Sequence, residues 1–354
     1  MAGAESSPSK RRRGAAFVVV MLVIAGTVVF ALSRLDLSRV GHALVTASPG
    51  WIVLAVALMG SSLVLRSISW HQTLHAALPT TRVRWAPVTR ATMIGVMGSA
   101  VFPGRLGEPS RVLIVSRHLD GQRRRLLPVV AGTVFSQTLM NLLALGVLAI
   151  VTFTAVPLGG GHATGIVLAL AIPLAIAGLV VSGPRIVTIG RRSRSPRVRA
   201  ATLAIERLLR HARQGLAVFA RPRYAATAVT MQLAAWALQW LACYTVLLAL
   251  GLQNETDFAT AAAVLLAVNV SAILPATPSN VGVFQAACLV VLAAYGVGAG
   301  KGLAYGILLQ AVEVVTALAL GVPALLREGV SWGELRRGAS SAGDEVSAGD
   351  EGAE

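Results

Sequence analysis

The chain has 354 residues, of which 55% are hydrophobic and 13% are charged, and its formal net charge is +16. Apolar runs of about twenty residues recur, which is the length that an α-helix needs to cross a bilayer. The positive charge comes almost entirely from Arg in the segments between these runs. We interpret it as setting the orientation in a membrane, so the composition predicts an integral membrane protein and excludes nucleic acid as a partner.

The apolar runs predict a series of membrane spans. Residues 1–13 are basic and should lie in the cytoplasm. The first span, at about 14–32, is too long for the apolar part of a cleaved signal and should be retained. The stretch 66–90 carries four Arg and is assigned to a cytoplasmic loop. Further spans are expected at about 50–66, 127–156, 163–182, 224–250 and 302–326.

Two apolar stretches do not fit a simple crossing. Residues 91–103 are too short to cross and have basic flanks, which predicts a hairpin entered from the cytoplasm. Residues 259–298 form either two full crossings or a hairpin entered from outside. In the second case, the unit at 50–156 is the inverted counterpart of the unit at 224–326.

The predicted fold is therefore an all-α polytopic membrane protein with inverted repeats. It has about eight transmembrane helices, or about six full spans plus two re-entrant hairpins. Both termini are expected in the cytoplasm.

Two further segments are expected on the cytoplasmic side. Residues 183–223 are rich in Arg, and apolar residues recur opposite these Arg at helical spacing, which predicts an amphipathic helix on an anionic leaflet. Residues 328–354 form an acidic tail that repeats Ser-Ala-Gly-Asp-Glu and should be disordered. The transmembrane domain is thus residues 14–327.

Two similar stretches, Ser99–Pro103 and Ser271–Pro275, each end an apolar run and lead into a Gly- and Pro-rich break. Broken helices at corresponding places in two halves of a membrane protein indicate a site between the halves. An interrupted backbone within lipid must be surrounded by protein or line a water-filled cavity. We therefore expect the functional site at these two breaks.

The first break contains Arg105, Glu108 and Arg111, whose spacing places them on one face if the segment is helical. Charges embedded in a membrane are costly and indicate function. Two Arg can bind the phosphate of a lipid head group, with Glu108 holding them in place. The alternative is a basic cluster that sets the topology, with Glu108 as a structural partner.

The second break carries no charge and offers hydroxyls, amides and backbone donors. Its candidate residues are Pro275, Thr277, Pro278, Asn280, Gly282 and Gln285. The alternative is a simple kink of the helix.

Polar side chains within the spans are further candidates, namely Asn141, Gln310 and Glu313. Glu313 should face the interior of the protein, either paired with an Arg or protonated. Gln232 and Gln239 are seven residues apart and share a helical face, so they should serve helix packing.

Signatures of catalysis and of cofactor binding are missing from the sequence. His71 and His75 have i, i+4 spacing but no third ligand type nearby, so we expect no metal site. A nucleophile triad, a P-loop and a dinucleotide-binding motif are also not evident. We therefore expect no cofactor and no catalytic residues.

Both breaks resemble the transmembrane region of lysylphosphatidylglycerol synthases and the stand-alone flippase-like membrane proteins grouped with them. The first, Phe102-Pro103-Gly104-Arg105-Leu106-Gly107-Glu108-Pro109-Ser110-Arg111, is similar to the family's P-x-R-x-G-E-x-x-R signature. The second, Leu274-Pro275-Ala276-Thr277-Pro278-Ser279-Asn280-Val281-Gly282-Val283-Phe284-Gln285, is similar to its P-x-T-P-G-G-x-G-x-x-E. Together with the order of the spans, the resemblance covers roughly residues 14–327.

The chain departs from the family pattern at several charged positions. The family has Glu where Gln285 stands and often Arg where Gln310 stands, and a charged run is replaced by Ser136, Gln137 and Asn141. Loss of both members of an ion pair leaves a neutral hydrogen-bonded pair, whereas loss of one leaves an unpaired charge in lipid. This predicts that Gln285 and Gln310 are in contact.

The resemblance implies a flippase-like fold of the bacterial inner membrane. The aminoacyl-transferring domain of the full synthases follows this region, and we expect this chain to lack it and not to be an enzyme. The expected function is to bind or translocate a phospholipid or a polyprenyl-phosphate-linked lipid, with anionic membrane lipids as partners.

Two alternatives remain open. The first is an accessory subunit or membrane-embedded transferase in lipid-linked glycan or envelope synthesis, with envelope-synthesis enzymes as partners. The second is a membrane partner that recruits a soluble enzyme through residues 183–223.

Overall fold

The computed structural model describes residues 37–101, 107–119, 123–155, 218–272 and 280–329. All regular structure within these ranges is helical. In chain order the helices are α1 (Leu37–Val45), α2 (Pro49–Ala77), α3 (Trp85–Val101), α4 (Gly107–Arg117), α5 (Arg123–Ala155), α6 (Pro222–Ala249), α7 (Phe258–Ser271), α8 (Val283–Ala294) and α9 (Ala299–Glu328).

Four of the described helices, α2, α5, α6 and α9, are long and apolar enough to cross a membrane. The helices α7 and α8 are apolar but shorter, with 14 and 12 residues. The prediction of an all-α membrane protein is confirmed.

The long helices pack around two hydrophobic clusters. Helix α2 lies along α6, and α9 packs against α1, α2, α3 and α8. The larger cluster joins α2, α5, α6, α7, α8 and α9, with Trp236 and Tyr305 among its buried members. The smaller one joins α2, α3, α4, α5 and the C-terminal part of α9 around Trp70 and Met97. Arg66, Glu108 and Arg111, which are described below, lie on α2 and α4, and both helices contribute to the smaller cluster.

Glycines allow α3 and α4 to approach each other closely. A Cβ at Gly107 would lie 1.9 Å from the backbone oxygen of Gly95, and a Cβ at Gly98 would lie 3.3 Å from the Cα of Gly107. Any larger residue at Gly107 would force the two backbones apart. Close backbone contact through small residues is how helices associate inside membranes, where lipid is as apolar as the helix surface.

The structure corrects one predicted boundary. Helix α2 does not end at residue 66 but continues to Ala77, so Arg66 is not in a loop. The helix continues because residues after Arg66 still supply a buried apolar face, with Trp70 and Leu74 fully buried. The rule that places Arg in loops was wrong here, because Arg66 finds hydrogen-bond partners within the bundle.

Several predicted elements lie outside the described residues. They are the N-terminus at 1–13, the spans at 14–32 and 163–182, residues 183–217 of the amphipathic segment, and residues 330–354 of the tail.

Candidate functional site

The pair of Glu108 and Arg111 forms on the first turns of α4. Glu108 lies in the first turn, where the helix dipole favours a carboxylate. Nη1 of Arg111 donates to Oε2 of Glu108 at 3.1 Å. Arg111 is buried, with 6% of its surface exposed, whereas 48% of the Glu108 side chain is exposed. This pairing was predicted from the i, i+3 spacing, while Arg105 lies outside the described residues.

Two other helices hold the guanidinium of Arg111. Its Nη2 donates to Oε1 of Gln137 on α5 at 2.6 Å. The guanidinium carbon lies 4.3 Å from the ring centroid of Trp70 on α2, within the range of a cation–π interaction. The Trp70 ring is fixed in turn, because its Nε1 donates to the hydroxyl of Thr133 at 3.0 Å.

Gly95 makes room for the Arg111 side chain. A Cβ at Gly95 would lie 2.3 Å from Cγ and 2.4 Å from Cδ of Arg111. The glycine on α3 therefore lets the long stem of Arg111 lie against the α3 backbone. This contact ties the position of the charge to the close packing of α3 on α4.

Arg66 is the second guanidinium of the cluster, and sequence reasoning missed it as a site residue. Its Nη2 donates to Oε1 of Gln239 on α6 at 2.6 Å, and its guanidinium carbon lies 5.7 Å from the ring centroid of Trp236. Gln137 links the two Arg, because its Nε2 donates to the backbone oxygen of Arg66 at 3.2 Å. The apolar pattern that continues after Arg66 is a signal that the helix extends past it, but this pattern does not reveal the partners on α6.

Both guanidiniums keep donors that are not used. Nε of Arg66 and Nε of Arg111 are buried and have no hydrogen-bond partner. A buried donor without a partner costs about 1–3 kcal/mol, and more on a charged group. Two buried guanidiniums with free donors form an arrangement that an oxyanion would complete.

Gln239 and Asn141 serve the packing around this cluster. Nε2 of Gln239 donates to the sulfur of Met59 at 3.6 Å, while its oxygen holds Arg66. Oδ1 of Asn141 accepts hydrogen bonds from Nε2 of Gln232 at 2.6 Å and from Nε1 of Trp236 at 3.2 Å. Asn141 thereby fixes α5 on α6 and orients the ring that lies near Arg66.

Glu313 lies on α9, three residues after Gln310. Its side chain is partly buried. Among the described residues, its carboxylate makes no hydrogen bond and no ion pair within 4 Å. Both alternatives for Glu313, pairing with an Arg and protonation, therefore stay predictions.

The second break ends at the start of α8. Asn280 and Gly282 have positive φ angles of 56° and 90°, so this turn uses backbone conformations that Asn and Gly tolerate best. Oε1 of Gln285 accepts a hydrogen bond from the Gly282 amide at 2.6 Å. This bond satisfies one of the free amides at the N-terminus of the helix. Pro275, Thr277 and Pro278 lie outside the described residues.

The predicted contact between Gln285 and Gln310 is confirmed. Nε2 of Gln285 donates to Oε1 of Gln310 at 2.5 Å. Helices α8 and α9 approach closely there, since a Cβ at Gly306 would lie 3.1 Å from Cα of Gln285. Gln310 and Glu313 are three residues apart on α9 and share a face, so the second break is joined to the helix face that carries Glu313.

Long apolar helices with buried charges between them define a polytopic α-helical membrane protein. Residues 16–321 match the family described as Lysylphosphatidylglycerol synthase TM region. The chain belongs to this family. No curated protein matches the chain.

Proposed function

We propose that this protein binds and translocates a lipid whose head group contains a phosphate, either a phospholipid or a polyprenyl-phosphate-linked lipid. The observation that carries the proposal is the pair of buried guanidiniums, Arg66 and Arg111, each with an unpartnered Nε. In this proposal the protein moves the lipid without breaking a covalent bond.

The donor set suits a phosphate. A guanidinium has five N–H donors in a planar fork that matches the oxygens of a phosphate. Arg111 uses two of its nitrogens on Glu108 and Gln137, which fixes the plane of the fork and leaves Nε for a ligand. Glu108 is the more exposed member of its pair, so an arriving phosphate can replace it without unfolding the helix.

The aromatic rings also favour an anionic ligand over water. Trp70 and Trp236 cover one face of each guanidinium and lower the local dielectric. The electrostatic attraction between each guanidinium and an oxyanion bound there is stronger than it would be in water. The same rings could pack against the apolar part of a lipid.

We further propose that the protein lies in the bacterial inner membrane with about eight helices and both termini in the cytoplasm. The pairs α3/α4 and α7/α8 are then re-entrant hairpins of two inverted repeats. The lengths support this, because α7 and α8 have only 14 and 12 residues. At ~1.5 Å per residue, each helix is too short to cross a hydrocarbon core of about 30 Å.

Cysteine labelling in whole cells tests the orientation. A cysteine at Asn254 should react with an impermeant reagent, and a cysteine at Arg82 should not. The reverse pattern would overturn the orientation.

Native mass spectrometry of the purified protein tests the lipid. The wild type should retain a phosphate-containing lipid, and Arg66→Gln and Arg111→Gln should each lose it. Arg327→Gln, which changes an exposed Arg on α9, is the matched control and should keep it. Arg111→Lys keeps the charge but not the fork, so it should bind more weakly than the wild type. Retention of the lipid by folded Arg66→Gln and Arg111→Gln variants would show that these residues do not bind it.

A further inference from the structure

Three neutral groups on three other helices hold the guanidinium of Arg111. Oε1 of Gln137 on α5 accepts a hydrogen bond from its Nη2 at 2.6 Å. The ring of Trp70 on α2 covers one face of the guanidinium, and Gly95 on α3 leaves room for the stem of the side chain. The position of Arg111 therefore does not depend on a charged partner.

Glu108 is the charged neighbour of Arg111, and it is held loosely. Its carboxylate oxygens lie 3.1 and 3.3 Å from Nη1 of Arg111, whereas a charge-assisted hydrogen bond of this kind usually measures about 2.7–2.9 Å. Within the described part of the chain, this carboxylate makes no other hydrogen bond or ion pair. Its side chain is 48% exposed, against 7% for that of Arg111. The carboxylate can therefore turn to water at little cost.

A carboxylate and a phosphate bind a guanidinium in the same way, because both are oxyanions that accept hydrogen bonds from its N–H groups. While Glu108 occupies Nη1, a phosphate meets an Arg111 whose charge is already balanced. Departure of Glu108 without a replacement would leave a buried guanidinium unpaired, which is costly. Exchange of one oxyanion for the other avoids an unpaired guanidinium.

We propose that Glu108 is an internal competitor of the lipid phosphate at Arg111. This inference rests on the proposed function and concerns the regulation of the same site. In the empty site the carboxylate of Glu108 pairs with Nη1. When the lipid binds, a phosphate oxygen takes this place and the carboxylate turns to water. The return of Glu108 displaces the phosphate, so the lipid is held weakly enough to be released.

Gln137 provides the opposite case on the same guanidinium. It is buried, with 4% of its surface exposed, and its Nε2 donates to the backbone oxygen of Arg66 at 3.2 Å. It therefore cannot turn to water as Glu108 can. A carboxylate at this position would balance the charge of Arg111 permanently. Gln137→Glu should therefore weaken the binding of the lipid, whereas Glu108→Gln should strengthen it.

The direction of the change separates a competitor from a residue that only positions Arg111. Removal of a competitor raises the affinity, because the fraction of protein that is competent to bind increases. For an ion pair with one half-exposed member, the expected gain in affinity is about two- to sixfold. Removal of a positioning residue would instead lower the affinity.

Titration calorimetry of the full-length protein with dihexanoyl phosphatidylglycerol, a soluble lipid with one phosphodiester, tests the competition. Dihexanoylglycerol has the same acyl chains but no phosphate and is the reference probe. Relative to the wild type, Glu108→Gln should bind the phosphate probe about two- to sixfold more tightly, and Gln137→Glu should bind it more weakly. Glu108→Gln should not strengthen the binding of dihexanoylglycerol, because the exchange involves the phosphate alone.

Glu255→Gln is the matched control, because it removes a carboxylate from an ion pair with Lys301 on an exposed surface. It should bind the phosphate probe as the wild type does, and an equal gain in this variant would overturn the competition. Equal or weaker binding by Glu108→Gln overturns it too and leaves the proposed function intact, as does a gain that also appears with dihexanoylglycerol. Since Glu108 is half exposed, Glu108→Gln should fold, and its result decides the matter whether or not Gln137→Glu folds. If neither the wild type nor Glu108→Gln binds the phosphate probe, both proposals are wrong.

Discussion

The two breaks hold their neighbouring helices with different chemistry. At the first, α4 carries Glu108 and Arg111, and the guanidinium reaches α2 and α5. At the second, α8 carries Gln285. Its side-chain oxygen accepts a hydrogen bond from the Gly282 amide at the start of the helix, and its side-chain nitrogen donates to Gln310. Both ends of the Gln285 amide are therefore used, whereas Nε of Arg111 is not.

This difference distinguishes a candidate ligand-binding site from a helix–helix packing contact. A charge within lipid is retained only at a cost, so a buried guanidinium with a free donor suggests a ligand. A neutral amide pair with both ends bonded costs little to bury and gives a fixed helix–helix contact. The first break is thus the better candidate for binding, and the second for holding α8 against α9.

The largest expected effect comes from Gly107→Ala, which tests how tightly the first break is packed. The new Cβ would lie 1.9 Å from the backbone oxygen of Gly95, and a backbone atom cannot move aside as a side chain can. We expect a loss of more than about 3 kcal/mol, seen as aggregated or absent protein in size-exclusion chromatography from detergent.

Two further glycines provide the comparison. Gly306→Ala at the second break should be milder, because its Cβ would lie 3.1 Å from Cα of Gln285. Gly50→Ala, where nothing lies within 4 Å, should be neutral or slightly stabilising, since Ala favours the helix. Equal behaviour of all three variants would show that α3 and α4 are not packed as described.

The sequence predicted the long helices and the local pair, but not the contacts across helices. Apolar length is enough to find α5, α6 and α9, and the i, i+3 spacing is enough to pair Glu108 with Arg111. Arg66 was assigned to a loop, because a charge next to an apolar run is usually outside the membrane. Its partners Gln239 and Trp236 lie far along the chain, so no local pattern could reveal that it is accommodated within the bundle.

The contact between Gln285 and Gln310 was predictable for another reason. Both positions depart from the family pattern at once, and two lost charges imply a lost pair. The structure adds that Gln285 also bonds the amide of Gly282. That second role depends on the turn at the helix start, which the spacing of the two Gln does not encode.

An intermediate effect is expected from Gln285→Glu, which introduces the charge that the second break lacks. The carboxylate can still accept from the Gly282 amide, but it cannot donate to Oε1 of Gln310. An unpaired carboxylate buried there should cost about 3 kcal/mol at neutral pH. Adding Gln310→Arg restores an ion pair and should recover much of this loss.

A double-mutant cycle on thermal stability in detergent measures this coupling. Gln310→Arg alone should also destabilise, because it leaves a buried guanidinium without a carboxylate. If the losses of the two single variants simply add in the double variant, the two positions are not coupled and the ion-pair interpretation of the second break is wrong.

The smallest expected effect concerns Asp257, the residue before α7 in the second half. Its carboxylate accepts from the Thr260 amide at 2.7 Å and from the Thr260 hydroxyl at 2.8 Å. Partial burial acts to raise the pKa of Asp257, but hydrogen bonds to the charged form outweigh it, and the pKa is lowered from its usual value. Asp257→Ala removes the cap and should cost about 1 kcal/mol at neutral pH.

The pH dependence of the stability separates the contribution of the Asp257 charge from that of the hydrogen bond to the Thr260 amide. Since the folded-state pKa lies below the unfolded one, the stabilisation is complete above about pH 4 and is lost as the pH falls through the folded-state value. The melting temperatures of the wild type and Asp257→Ala should therefore converge in acid. Asp257→Asn keeps an acceptor for the Thr260 amide without a titratable group, so it should retain part of the cap at every pH. A constant difference between wild type and Asp257→Ala down to about pH 2, well below the usual Asp pKa, would mean that the charge of Asp257 does not contribute to the cap.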